Sequence, residues 1–263
     1  MRNLKSDTVV VKIGTSSLTY DNGKMNFKFI EELTMVLCDL KNQGKNVVLV
    51  SSGAIGVGVS KLRLEKKPED IKTKQATAAV GQCQLMSIYD RCFSLYGQDV
   101  AQILITKYII DNEQSKTNAK NTFDELFRLN VVPIVNENDV ISTSEIEFGD
   151  NDTLSAYVAE LVNADLLIIL TDIDGYYSEN PKESKNAKLI SEINEITPEI
   201  LKNAGGAGSS RGTGGMYTKL LAAQIAMKSN IATVITSGKN PNDIYSVVDG
   251  KEIGTLIRKS AKK

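Results

Sequence analysis

Histidine is absent from the 263 residues of this chain. That absence removes Ser-His-Asp and Cys-His nucleophile systems, histidine-ligated metals and imidazole acid-base chemistry. Any catalysis must rest on lysines, carboxylates, amides, hydroxyls and backbone groups. Cysteine is scarce: Cys38, Cys83 and Cys92 are odd in number and form no Cys-x-x-Cys. Each falls in an apolar helical pattern, which predicts reduced core thiols rather than ligands or nucleophiles and suits a reducing cytosol. An excess of either charge is also lacking. The 31 Lys and Arg stand against 32 Asp and Glu, a net charge of −1, so no broad nucleic-acid or anionic-membrane surface is advertised. The basic ending Arg258-Lys259-Ser260-Ala261-Lys262-Lys263 reads as a solvated tail. No apolar run reaches the roughly 20 residues of a membrane span, and Met1-Arg2-Asn3-Leu4-Lys5-Ser6-Asp7 holds no signal-peptide stretch. The expectation is a cytoplasmic protein with no nucleic-acid or membrane partner.

What is present is ordinary globular material, 41% hydrophobic and 24% charged. Short β-branched runs at 8–13, 46–51, 99–106, 131–135, 165–171 and 231–236 alternate with longer segments of helical period. Most runs are apolar on successive residues, as strands covered on both faces are. The helical segments lie at 26–43, 73–96, 116–129, 152–162 and 215–229. The first places Ile30, Leu33, Leu37 and Leu40 on one face and stops at Gly44. The second carries two apolar rows, Ala76, Val80, Cys83 and Leu85, Ile88, Cys92, Leu95, so it is either sandwiched or half of a subunit contact. The alternation predicts a largely parallel sheet with helices on both faces and ligands at the carboxyl ends of the strands. Residues 140–148 alternate like an exposed hairpin, and 205–215 is nearly all Gly, Ala, Ser and Thr.

Four segments carry candidate chemistry. Lys12-Ile13-Gly14-Thr15-Ser16-Ser17 closes the first strand and presents an ammonium and bare N–H groups, although surface turns often look the same. Ser51-Ser52-Gly53-Ala54-Ile55-Gly56-Val57-Gly58 follows a buried strand and opens a helix, a way to bring amides to an anion or simply to pack helices. Its glycines do not fit the dinucleotide fingerprint. Gly212-Thr213-Gly214-Gly215-Met216-Tyr217-Thr218-Lys219 leads into a helix but is not a GxxxxGK[ST] loop; it reads as a polyphosphate loop or as a linker. The fourth pairs Asn136-Glu137-Asn138-Asp139 with Phe148-Gly149-Asp150-Asn151-Asp152, acids and amides that suit an ammonium group, lysine partners or helix capping by Asn151 or Asp152. Together they point to phosphoryl transfer to a carboxylate, a nucleophile already ionised at neutral pH. The difficulty there is anion meeting anion, and positioning plus cations overcome it.

These residues resemble the amino acid kinase family, and within it the glutamate 5-kinase branch, over nearly the whole chain. The resemblance is carried by Val9-Val10-Val11-Lys12-Ile13-Gly14, Val50-Ser51-Ser52-Gly53-Ala54-Ile55, Ala79-Val80-Gly81-Gln82, Pro133-Ile134-Val135-Asn136-Glu137-Asn138-Asp139, the 148–152 segment, Thr171-Asp172-Ile173-Asp174-Gly175 and Gly212-Thr213-Gly214-Gly215-Met216. It implies an α/β fold, an αβα sandwich around a largely parallel sheet. It implies one domain over 1–263, with an amino-acid lobe at about 1–165 and a nucleotide lobe at about 166–263. The implied reaction converts ATP and L-glutamate to ADP and L-glutamyl 5-phosphate, the first step toward proline.

By the same resemblance Lys12 and Lys219 stabilise the transferring phosphoryl group and Asp152 holds the two lysines. Ser52, Gly53, Asp139 and Asn151 bind glutamate. Lys12, Gly14, Thr171, Asp172, Thr213, Gly214, Gly215, Met216, Tyr217, Thr218 and Lys219 line the ATP site, and Mg²⁺ rides mainly on phosphates and water rather than on a protein metal site. Implied too are a homo-oligomer, L-proline as feedback inhibitor, and a short form without the C-terminal PUA module that many such kinases carry. Tyr217 stands where smaller residues are usual and is expected to point outward. The competing expectations are another member of the family, such as an acetylglutamate kinase, and a non-catalytic amino-acid sensor on the same fold.

Overall fold

The computed structural model describes residues 1–20, 23–142, 151–181, 183–205 and 215–260. In chain order the elements are β1 (Thr8–Ile13), α1 (Thr15–Leu18), α2 (Phe27–Asn42), β2 (Asn46–Ser51), α3 (Ala54–Leu62) and α4 (Ile71–Ser94). Next come β3 (Val100–Ile105), α5 (Lys107–Asp111), α6 (Glu113–Arg128), β4 (Val132–Glu137), α7 (Asn151–Leu161) and β5 (Leu166–Thr171). The rest are β6 (Glu192–Ile193), α8 (Pro198–Ala204), α9 (Met216–Lys228), β7 (Ala232–Ser237), α10 (Asp243–Val248) and β8 (Thr255–Ile257).

The strands form one sheet in the order β3-β4-β2-β1-β5-β7-β8-β6. It is parallel from β3 to β7; β8 turns antiparallel to β7, and β6 runs parallel to β8. The expected largely parallel sheet is therefore present. Each face carries its own core, as the αβα expectation requires. Side chains alternate along a strand. Val9, Val11 and Ile13 thus enter one core with Leu33 and Leu37 of α2 and Leu85 and Tyr89 of α4. Val10 enters the other, with Leu154 and Val158 of α7 and Leu220 and Ala223 of α9. Lys12 shares the face of Val10 and lies in register between Val50 of β2 and Ile169 of β5, also in that core. The alternation that hides a valine therefore delivers an ammonium group to the α7 and α9 side.

Helix starts follow their caps. Asn26, Asp70 and Asn112 accept from the backbone N–H of Phe29, Thr73 and Ser115, so α4 and α6 begin earlier than periodicity alone predicts. Asn151 and Asp152, expected as caps, are instead the first two residues of α7. On α4 the Leu85, Ile88 and Cys92 row is buried, whereas Leu95 lies past the helix end and is exposed. The Ala76, Val80, Cys83 row faces outward. Cys83 is accordingly exposed, and the expectation of three core thiols holds only for Cys38 and Cys92.

The reason lies in how α4 meets α3. A Cβ at Gly58 would collide with the Thr77 carbonyl, and one at Gly81 with the Ala54 carbonyl. Backbone-to-backbone approach occupies that side of α4 and leaves the other row outside. The hairpin expected at 140–148 falls mostly outside the described residues; Ile141 and Ser142 turn back to the Asn138 carbonyl. No helix among the described residues is long and apolar enough to cross a membrane.

Candidate active site

Lys12 is nearly the last residue of β1, and its Nζ lies 2.6 Å from Asp152 Oδ1. Asp152 is the second residue of α7, so its carboxylate sits where the helix dipole favours negative charge. Lys219, in the first turn of α9, places Nζ 3.1 Å from the other oxygen, Oδ2. The side chains of Lys12, Lys219 and Asp152 are 3%, 4% and 0% exposed. Among the described residues no donor meets Oδ1 at a hydrogen-bonding angle; at 2.6 Å the Lys12 charge is nevertheless its counterpart. Burial pushes the Asp152 carboxyl upward, but Lys12, Lys219 and the Thr218 hydroxyl outweigh it and hold it below the ordinary carboxylate value. Thr218 Oγ1 lies 2.8 Å from Oδ2 and 2.7 Å from the Gly215 carbonyl, and with one proton it donates to either.

Two ammonium groups thus meet on one carboxylate in a dry site. Buried charges of this kind are costly unless they are paired, and Asp152 pairs with both. Gly14 lies directly after β1, where an added Cβ would stand in ordinary contact, 4.0 Å, with Lys12 Nζ. Gly53 opens α3 at φ +104, a conformation that favours glycine, with Leu18 pressing from the side.

Next to the charged group lies a set of amides. Asn151, the first residue of α7, places Nδ2 within reach of the Ser51 carbonyl (3.1 Å), Ser52 Oγ (2.9 Å) and Asn136 Oδ1 (2.8 Å), three acceptors that share its two protons. Ser51 Oγ is paired with the buried Tyr89 hydroxyl at 2.8 Å, and burial pushes that phenol upward. Half-buried Asp139 follows β4 at the same end of the sheet. Thr171 ends β5 and Asp172 follows it, and the two bond to each other, Thr171 Oγ1 donating to Asp172 Oδ1 at 3.1 Å.

The structure therefore joins Lys12, Asp152, Thr218 and Lys219 in one contact group and Ser52 and Asn151 in an adjoining one. Thr213 and Gly214 lie outside the described residues. Tyr217 is 44% exposed, as expected of an outward side chain. A cleft of about 960 Å³ opens beside Met216 and is lined by Tyr176, Asn180, Lys202 and Asn203 among others. Of that lining, sequence reasoning assigns a role to Met216 and quotes Ile173 and Gly175 only within a motif; Tyr176, Asn180, Lys202 and Asn203 come from segments without period or motif. Asn136 stood in a recognised cluster without a role, and Gln82 was a motif letter only.

A sequence model described as the amino acid kinase family matches residues 7–237. The chain belongs to the amino acid kinase family. Among curated members of this family, a glutamate 5-kinase of Clostridium perfringens (strain 13 / Type A) is 56% identical over 256 residues, 96% of this chain and 95% of that one. A glutamate 5-kinase of Enterococcus faecalis (strain ATCC 700802 / V583) is 49% identical over 265 residues, 98% of each. Among solved structures, the isopentenyl phosphate kinase product complex of T. acidophilum superimposes with a TM-score of 0.64 at 18% identity, covering 95% of this chain and all of that one. That last likeness is one of fold.

Proposed function

We propose that this chain transfers the γ-phosphoryl group of ATP to the side-chain carboxylate of L-glutamate, giving ADP and L-glutamyl 5-phosphate, the glutamate 5-kinase reaction that opens proline biosynthesis. The observation that carries the reading is the single buried carboxylate of Asp152 with Lys12 on one oxygen and Lys219 on the other. The extent and identity of the match to curated glutamate 5-kinases support the same acceptor.

The chemistry follows from the charges. ATP supplies the phosphoryl group: an acceptor carboxylate oxygen bonds to the γ-phosphorus, and the β–γ bridging oxygen leaves with the electron pair on ADP. The acceptor arrives deprotonated, so no base is needed. Lys12 and Lys219 neutralise the equatorial oxygens as charge spreads, and Asp152 keeps the two ammonium groups at a fixed spacing. The pair of ammonium groups suits a polyphosphate, and Mg²⁺ would be carried by phosphate oxygens and water. Asn151 and Ser52, with Asp139 nearby, bind the amino acid; a free α-ammonium suits these acids and amides better than an acetylated nitrogen does. Gly53 offers its backbone N–H to the same ligand. Thr171, Asp172 and 213–219, with Gly14 from the other side, line the nucleotide site beside the Met216 cleft. On this reading 1–165 forms the amino-acid lobe and 166–263 the nucleotide lobe, and L-proline competes at the glutamate site of a cytoplasmic homo-oligomer.

Hydroxylamine trapping with ATP, Mg²⁺ and a panel of acidic amino acids tests the assignment. Hydroxamate formed with free L-glutamate alone is expected; a signal solely with acetylglutamate or aspartate would reject it.

A further inference from the structure

The side-chain amides at the amino-acid site have a polarity that two backbone groups dictate. The Ser51 carbonyl only accepts, so the Asn151 atom 3.1 Å from it is nitrogen. The Glu137 backbone N–H only donates, so the Asn136 atom 2.9 Å from it is oxygen. The two assignments agree, because Asn151 Nδ2 donates to Asn136 Oδ1. Asn136 then turns its own Nδ2 toward α4, where Gln82 Oε1 accepts at 2.9 Å. Gln82 Nε2 donates in turn to Gln102 Oε1 on β3 at 3.2 Å. Four amides thus run in one direction from the site to the edge strand, each polarising the next.

We propose that Gln82 is a positioning residue for the amino-acid site: its carbonyl oxygen locks the Asn136 amide, and through it the Asn151 amide that the substrate meets. A flipped Asn136 would face both Glu137 N–H and Asn151 Nδ2 with a donor, and the Gln82 acceptor opposes that flip. Gln82 reaches Asn136 because its neighbour Gly81 lets α4 lie against the Ala54 carbonyl. Asp152, although next to Asn151 in the chain, is held separately by Lys12, Lys219 and Thr218. Loss of the relay should therefore fall on amino-acid binding and spare phosphoryl transfer. The identity of that ligand rests on the function proposed above; the polarity of the relay does not.

Gln82→Leu removes both bonds at similar volume, while Gln82→Glu keeps an acceptor facing Asn136. The expected result for Q82L is a rise in KM for glutamate of about tenfold, with kcat and the KM for ATP within about twofold of the parent. Q82E should return the glutamate KM to within about twofold of the parent. An unchanged KM in Q82L, equal damage in Q82E, or a joint decline of kcat, both KM values and the thermal midpoint would each overturn the proposal. Side-chain ¹⁵N–¹H signals give a readout independent of turnover: the Asn136 amide should be protected from exchange in the parent and exposed in Q82L. A parent that forms no hydroxamate sinks the proposed reaction alone; an Asn136 amide unprotected in the parent sinks the relay.

Discussion

Lys12 at the end of β1 and Lys219 at the start of α9 face each other across one carboxylate, 2.6 Å and 3.1 Å from the two oxygens of Asp152. The bridge makes the two cations a unit. Each would repel the other in a dry interior, and Asp152 converts that repulsion into a fixed geometry.

Replacing Asp152 by Asn removes the charged bridge between two buried ammonium groups. Turnover of the D152N variant should fall about 100- to 1000-fold. Urea unfolding should show a loss of about 3 kcal/mol, the usual consequence of breaking a buried ion pair from one side. Wild-type-like turnover would show that the lysines hold their places without Asp152.

Acid stability should report the same group. Burial raises the Asp152 carboxyl, yet the lysines pull it below its ordinary 3.8 in the folded chain. Between the folded and unfolded values only the unfolded chain holds the proton, so stability rises with pH there. The contribution is complete above 3.8 and fades as pH drops toward the folded value. Urea midpoints taken from about pH 6 down to about pH 3 should therefore fall more steeply for the parent than for D152N.

Lys219→Ala separates catalysis from amino-acid binding. It should lower kcat at least about 100-fold while the affinity for glutamate, measured by calorimetry, stays within about threefold. A sensor on this fold would keep its response to the amino acid and have no turnover to lose.

Gly81→Ala tests the packing that holds α4 against α3. The added methyl meets the Ala54 carbonyl, which belongs to backbone and cannot swing aside. We expect a loss of about 2 kcal/mol in chemical denaturation and a raised glutamate KM, since Gly53 caps the start of α3 and α4 carries Gln82. An unchanged midpoint would mean that the two helices are free to separate.

Much of this was legible in the residues. The interior strands announce themselves as unbroken apolar runs because both faces are covered, and α2 does so because its core face repeats with helical period. The lysines and Asp152 were legible by motif, since the chemistry demands those groups at strand and helix ends. The short elements α5, α8, α10, β6 and β8 were not, being too brief to show a period. The outward row of α4 misled for a physical reason: Ala76, Val80 and Cys83 look like core, and only the approach at Gly58 and Gly81 reveals which side is occupied. The amide relay was invisible because its members come from α7, β4, α4 and β3, and only pairing in space gives any one of them a role.

The position of β1 has a consequence for how the molecule is made. It precedes every other strand in this chain, yet it lies inside the sheet with β2 on one edge and β5 on the other. As the ribosome extends the polypeptide, one edge of β1 stays unsatisfied until β5 emerges, and Lys12 lacks Lys219, its fellow cation at Asp152, until α9 follows. The nascent chain therefore carries a sticky, half-finished sheet through most of its synthesis, and the reactive centre comes into being only near the end of translation.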